Sequence, residues 1–252
     1  MNASTKFQLS QNSGLDYLRG VFTWSNIVIF SILFSSLILI LFPFVYFVDK
    51  NRHSLHAIAN IWAKCIQFCN PWWTFIIQGK ENLAQKNEVV VYVANHQSQA
   101  DILALFILSI RFRWLSKSSL FKIPFLGWGM SAIGYVPVNR SSKSSSKQSI
   151  KLSTHHLSQG ISMIFFPEGT RSKNGELGEF KMGAFRLAKT NQVPIIPITI
   201  KGCANMLPKG TIWPKVTKVN ITIHPKIVTT NLTPNEIMIE AREKISSKLI
   251  GS

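Results

Sequence analysis

The chain reads as an α/β protein in which a largely parallel sheet is flanked by helices and preceded by an N-terminal hydrophobic segment that attaches to a membrane. Two observations predict the sheet. Short apolar, often β-branched runs, such as Val-Val-Val-Tyr-Val-Ala ending at Ala94, alternate with stretches of helical periodicity. These runs are apolar at successive positions rather than alternate ones, which suits strands buried on both faces. The third observation is that residues 21–48 carry no charge and are long enough to enter a bilayer.

Taken in order, residues 1–20 are polar and unpatterned and read as a loosely ordered tail. Residues 21–70 form a membrane-attaching part. The uncharged run exceeds a signal-peptide core, and no small-residue cleavage site follows it. Ser31, Ser35, Ser36 and Pro43 would permit a broken or re-entrant helix, and Lys50 and Arg52 favour a cytoplasmic C-terminal side. Beyond them Leu55, Ile58, Trp62, Cys65 and Cys69 recur at helical spacing and predict an amphipathic helix that packs on the domain or lies in the lipid interface.

Pro71 stops that helix, and residues 71–252 are read as the α/β domain. Strands are expected at 72–78, 89–94, 112–116, 135–138, 161–166, 195–200 and 219–223. Helices are expected to start at Asp101 and over 124–133, 150–158, 182–190 and 234–249. The serine- and lysine-rich stretch 140–147 reads as a surface loop, and Gly160 as a helix stop. His155 and His156 read as exposed polar positions.

Composition narrows the function. The 252 residues are 46% apolar, ample for a core, and carry a formal charge of +17, which points to anionic partners and not to a fold. Residues 102–167 contain no acid at all; a solvated basic face is the simplest account of some of their cations. Nothing resembles a nucleic-acid-binding motif, so no nucleic-acid partner is expected. Cys65, Cys69 and Cys203 are odd in number and lack framework spacing, which suits a reducing compartment, and no metal or cofactor is expected.

Chemistry is concentrated where two strands end. After Ala94 come Asn95, His96, Gln97, Ser98, Gln99 and Ala100, and then Asp101 opens an apolar helix. The carboxyl ends of strands are where open α/β sheets place their sites. An imidazole with a carboxylate five positions on can be held as a general base, although Asp101 alone would also serve as a first-turn acid. Phe166-Pro167-Glu168-Gly169-Thr170-Arg171-Ser172 leaves a second strand in the same way. The Gly-x-Ser-x-Gly elbow of serine hydrolases is absent.

These blocks resemble, in order, those of the glycerolipid acyltransferases, and most closely the 1-acylglycerol-3-phosphate acyltransferase family. The matching residues are Asn95-His96 with Asp101, Lys117 ahead of Ile123-Pro124, Gly134 to Arg140, the Phe166 to Ser172 stretch, and Val193-Pro194-Ile195-Ile196-Pro197. The resemblance implies direct transfer of an acyl chain from coenzyme A or acyl carrier protein to the free hydroxyl of 1-acylglycerol 3-phosphate in the membrane, giving phosphatidic acid, with His96 and Asp101 as the catalytic pair. It implies that Lys117, Arg140, Glu168, Gly169, Thr170 and Arg171 bind the acceptor's phosphate and glycerol, Glu168 contacting a hydroxyl or orienting Arg171. Other acceptors in reach are glycerol 3-phosphate, another lysophospholipid or a lyso-aminolipid. A silent basic membrane-binding protein would explain the charge but not the ordered blocks.

Overall fold

The computed structural model describes residues 14–139, 141–172, 176–208 and 213–249. The chain opens with two helices, α1 (Gly14–Val48) and α2 (His53–Cys69). Then follow β1 (Trp73–Gln78), β2 (Val91–Ala94), α3 (Asp101–Ile107), β3 (Arg113–Lys117), α4 (Leu126–Ile133), β4 (Val136–Val138) and α5 (Lys143–Ser158). The last elements are β5 (Met163–Phe165), α6 (Gly183–Thr190), β6 (Ile195–Lys201), α7 (Cys203–Met206), β7 (Thr217–Ile223) and α8 (Pro234–Ser247).

The strands form one seven-stranded sheet in the order β1-β7-β6-β2-β5-β3-β4. Its pairs are parallel except β6 with β7. Alternation along each strand divides the core into two layers, because successive side chains point to opposite faces. Tyr92, Ala94, Ile164, Ile196 and Ile198 face the layer covered by α1 to α4, whereas Val91, Val93, Met163, Phe165 and Ile195 face the layer covered by α5, α6 and α8. Both faces of the central strands are therefore dry, which is why their sequences are apolar at every position.

Four readings change. Residues 14–20, read as tail, are helical: α1 starts at Gly14, and an Asp16–Arg19 pair at 3.0 Å supports its first turn; residues 1–13 lie outside the described residues. The helix is continuous to Val48 with Pro43 inside it, not broken. The expected loop at 140–147 is mostly helix, because the Ser142 hydroxyl caps α5 by accepting the Ser145 N–H at 3.2 Å. Within α5, Ser149 and Ser153 are buried and bond back to carbonyls four residues earlier, so serine-richness does not prevent helix there. On α2 Leu55 is buried as expected, but the buried stripe runs on through Ala59, Ala63 and Ile66, one position round from Ile58, Trp62, Cys65 and Cys69, which are half-buried beside it.

Helix α1 is inside out. Thr23, Asn26 and Ser35 are buried, while Leu15, Ile40, Phe44 and Phe47 are 66–79% exposed. Polar side chains hold it to the domain. Thr23 donates to Asn70 Oδ1 at 2.7 Å, Asn70 Nδ2 donates to Asn26 Oδ1 at 3.0 Å, and Trp62 Nε1 donates to Ser31 at 3.3 Å. The Ser35 side chain lies against Gly129 of α4, where a Cβ would stand only 3.0 Å from the hydroxyl.

Candidate active site

The carboxyl ends of three adjacent strands, β2, β5 and β3, supply the residues singled out in the sequence. The turn after β2 is pinned to the sheet by Asn95. Its side chain donates to the Ile200 carbonyl at 2.8 Å and accepts the Ile200 N–H at 2.7 Å, so a side-chain amide continues the β2–β6 pairing where the main chain turns away. His96 follows this fixed point.

His96 Nδ1 lies 2.8 Å from Asp101 Oδ2. A carboxylate only accepts, so Nδ1 carries the proton and Nε2 is left with its lone pair. The same carboxylate oxygen also accepts the Gln97 N–H at 2.6 Å and the Ser98 N–H at 2.8 Å, which compensates an acid with no solvent exposure. Asp101 thus closes the turn that begins α3 and orients the imidazole with one atom. Under the ring lies Phe166, its centroid 4.2 Å away and its plane tilted by 22°. The buried thiol of Cys203 faces Asp101. Burial, followed by the charge of Asp101, pushes this thiol well above its ordinary value, so it stays protonated and is no nucleophile.

A cavity of about 740 Å³ opens beside His96. Its mouth includes Lys117, Thr170 and Arg171, and its interior is walled by α1 (Trp24, Ile27, Phe34, Ile38), α2 (Trp62, Ile66) and α3 with α4 (Leu103, Phe106, Met130). The structure therefore brings His96, Lys117, Thr170 and Arg171 to one opening. Arg140 lies outside the described residues.

Glu168 and Gly169 stand behind that opening. Glu168 is 7% exposed, and both its oxygens are occupied: Oε1 accepts the His96 N–H at 2.7 Å and Oε2 the Gly178 N–H at 2.9 Å. Burial raises its carboxyl above the ordinary value, and these two bonds oppose that shift. The carboxylate binds main chain, in contrast to the expectation that it contacts a hydroxyl or orients Arg171. Gly169 has φ of +72°, a conformation that suits glycine, and its N–H closes a turn onto Phe166 at 3.0 Å. Lys181 lies over that turn, its Nζ 2.9 Å from where a Cβ on Gly169 would be.

A histidine held by a carboxylate, at the end of a parallel strand and beside a deep apolar cavity with cations at its mouth, is the arrangement of an acyl-transfer domain. The chain matches the family described as Acyltransferase over residues 74–201. It is 42% identical to the chloroplastic 1-acyl-sn-glycerol-3-phosphate acyltransferase of Brassica napus over 67% of this chain and 49% of that one. For the Arabidopsis thaliana chloroplastic counterpart the figures are 40%, 77% and 54%, and for a Chlamydomonas reinhardtii relative of the same name 35%, 90% and 68%. The chain thus spans about half the length of the first two relatives. The crystal structure of the Thermotoga maritima 1-acyl-sn-glycerophosphate acyltransferase superposes with a TM-score of 0.75 at 22% identity, covering 93% of this chain and 95% of that one, so the fold is shared. The chain belongs to the 1-acylglycerol-3-phosphate acyltransferase family.

Proposed function

We propose that the protein moves a fatty acyl chain from an acyl thioester, on coenzyme A or acyl carrier protein, to the free hydroxyl of 1-acylglycerol 3-phosphate, giving phosphatidic acid for phospholipid synthesis. The observation that carries this reading is that a carboxylate-held imidazole and two cations share the mouth of one apolar cavity. The names of the relatives support the choice of acceptor.

In this reaction His96 Nε2 takes the proton of the acceptor hydroxyl as its oxygen attacks the thioester carbonyl carbon. Asp101 holds the tautomer and stabilises the imidazolium. The tetrahedral intermediate collapses by breaking the carbon–sulfur bond, and the imidazolium returns its proton to the departing sulfur. The products are the ester and a free thiol. Arg171 and Lys117 bind the acceptor phosphate, the former by a planar fork. The apolar cavity encloses an acyl chain. Transfer is direct, both substrates being bound together, and it calls on no metal or further cofactor.

The protein acts at a membrane. Only 11% of the most apolar window of α1 is buried, unlike the core helix of a soluble domain, and the helix turns its polar residues inward. Its packing from Gly20, against Trp213, to Phe42, under the Arg52 guanidinium, leaves one face on the domain and the other for lipid. We therefore read α1 as lying within one leaflet, with the catalytic domain on the cytoplasmic face, the side that Lys50 and Arg52 favour.

Thiol release from acyl-CoA by the purified protein, with and without acceptor lipid, tests the reading. Release should require the acceptor, initial-rate plots should intersect, and His96→Ala should lower turnover by about 10²- to 10⁴-fold. A His96→Ala protein with near wild-type turnover, or an acylated protein trapped from donor alone, would sink it.

A further inference from the structure

The turn that carries His96 is held at both main-chain groups by the loop after β5. Its N–H donates to Glu168 Oε1 at 2.7 Å, and its carbonyl accepts the Ser172 N–H at 2.8 Å. Glu168 is itself located by its second oxygen, on the Gly178 N–H. The Gly178 peptide lies in a surface segment without regular structure, so something must hold it in turn.

That group is Arg242 of α8, 64 residues further along the chain. Its Nη1 donates to the Gly178 carbonyl and its Nη2 to the Leu177 carbonyl at 3.1 Å, and its guanidinium lies 5.3 Å from the Phe180 ring centroid. Among the described residues no carboxylate pairs with Arg242. Two of its donors go to two successive carbonyls, a geometry that a planar fork satisfies and a point charge does not. Gly178 cannot bear a larger residue without disturbing the contact, because a Cβ there would stand 2.9 Å from Glu168 Oε2. The result is one chain of contacts from α8 through the Gly178 peptide and Glu168 to the main chain of His96.

We propose that Arg242 is a positioning residue for acyl transfer, acting through Gly178 and Glu168 on the placement of His96. It does not line the cavity beside His96, and it lies outside the stretch matched by the family. The proposal rests on the reading of His96 as the base. A reacting group misplaced by about 1 Å can cost on the order of a hundredfold in rate, so a partial loosening is expected to cost about tenfold.

The test uses the full chain in lipid vesicles, with thiol release giving kcat and both KM values. Arg242→Ala should lower kcat about tenfold while each KM stays within about twofold, because an interaction felt only at the reacting centre is lost. Arg242→Lys should fall between, and Gly178→Ala should mimic the loss with Arg242 intact. These two variants carry the test if Arg242→Ala does not fold. Arg242→Ala combined with Glu168→Gln should lose no more than the worse single variant, since both act along one path. Folded Arg242→Ala and Gly178→Ala proteins with wild-type kcat, a loss confined to KM, or losses that multiply in the double variant would each overturn the proposal. His96→Ala separates the two ideas. If it stays active, the base assignment itself is wrong; if it is inactive while Arg242→Ala is unimpaired, only the positioning role falls.

Discussion

The ring of Phe166 lies nearly parallel beneath that of His96, 4.2 Å between centroids. The contact joins the two motif loops through the side chain proposed above as the general base. Aromatic pairs of this kind contribute about 0.5–1.5 kcal/mol beyond the area they bury. Phe166→Leu should therefore lower kcat about two- to tenfold, and Phe166→Tyr should keep it near wild type. An unchanged kcat in a folded Phe166→Leu protein would mean that Asp101 alone orients the imidazole.

Arg171 should discriminate acceptors. Its removal takes away a charge-assisted contact of about 1.5–3 kcal/mol, or roughly ten- to hundredfold in kcat/KM for a phosphorylated acceptor. Activity on the same acceptor lacking phosphate should hardly change, and Arg171→Lys should rescue poorly. Equal losses on both acceptors would remove the phosphate from the role of Arg171.

Stability should fall in mild acid. His56 is fully buried, with Nε2–H donating to the Ile110 carbonyl at 2.9 Å, so Nδ1 accepts from the Tyr135 hydroxyl at 3.0 Å. Burial, with Arg113 next, depresses this histidine to about 3; burial depresses His224 to about 4. The unfolded chain then binds protons that the folded one refuses. The stability these histidines contribute is full above the ordinary value of about 6.5 and drains away towards the folded values, with a slope of up to about 1.4 kcal/mol per pH unit for each. Urea unfolding in detergent between pH 7 and pH 4 should show this slope, and a folded His56→Gln variant should make it shallower while His224 keeps its share. A flat wild-type profile would contradict the burial of a neutral His56.

Asn70 should decide whether α1 stays docked. It links Thr23 and Asn26 while its Nδ2 also donates to the Ile66 carbonyl at 2.7 Å. Asn70→Ala strands these buried partners at a cost of about 1–3 kcal/mol. Amide exchange in the first half of α1 should accelerate, along with a lower Tm. Unchanged exchange there would mean that apolar packing alone holds the helix.

Much of this was legible because apolar runs and the abrupt polar turns after Ala94 and Phe166 are local signals. What escaped depends on partners distant in sequence. Arg113 belongs to a run that reads as a basic surface, yet it is 1% exposed, donating to the carbonyls of Phe112, Asn51 and Arg52. Burial lowers it to about 10. His156, read as exposed, is half-buried and depressed to about 4, first by burial and then by Arg113. Glu168 sits in a recognisable motif, but nothing local reveals that its two oxygens face main-chain amides ten and seventy-two residues away. The start of α5 was missed because serine favours caps and turns, and only tertiary packing shows that Ser149 and Ser153 face inward.

Helix α1 walls the cavity with Trp24, Ile27, Phe34 and Ile38 while its opposite side is bare. On the proposed reading, anchor and pocket are thus two surfaces of a single rod, and they cannot be engineered apart. A chain trimmed to Asp49 for solubility would lack this wall of the cavity. On that same reading, lipid against the outer surface of the rod is also a mechanical neighbour of an acyl chain within, which would give bilayer thickness and fluidity a physical route to the choice of acyl group.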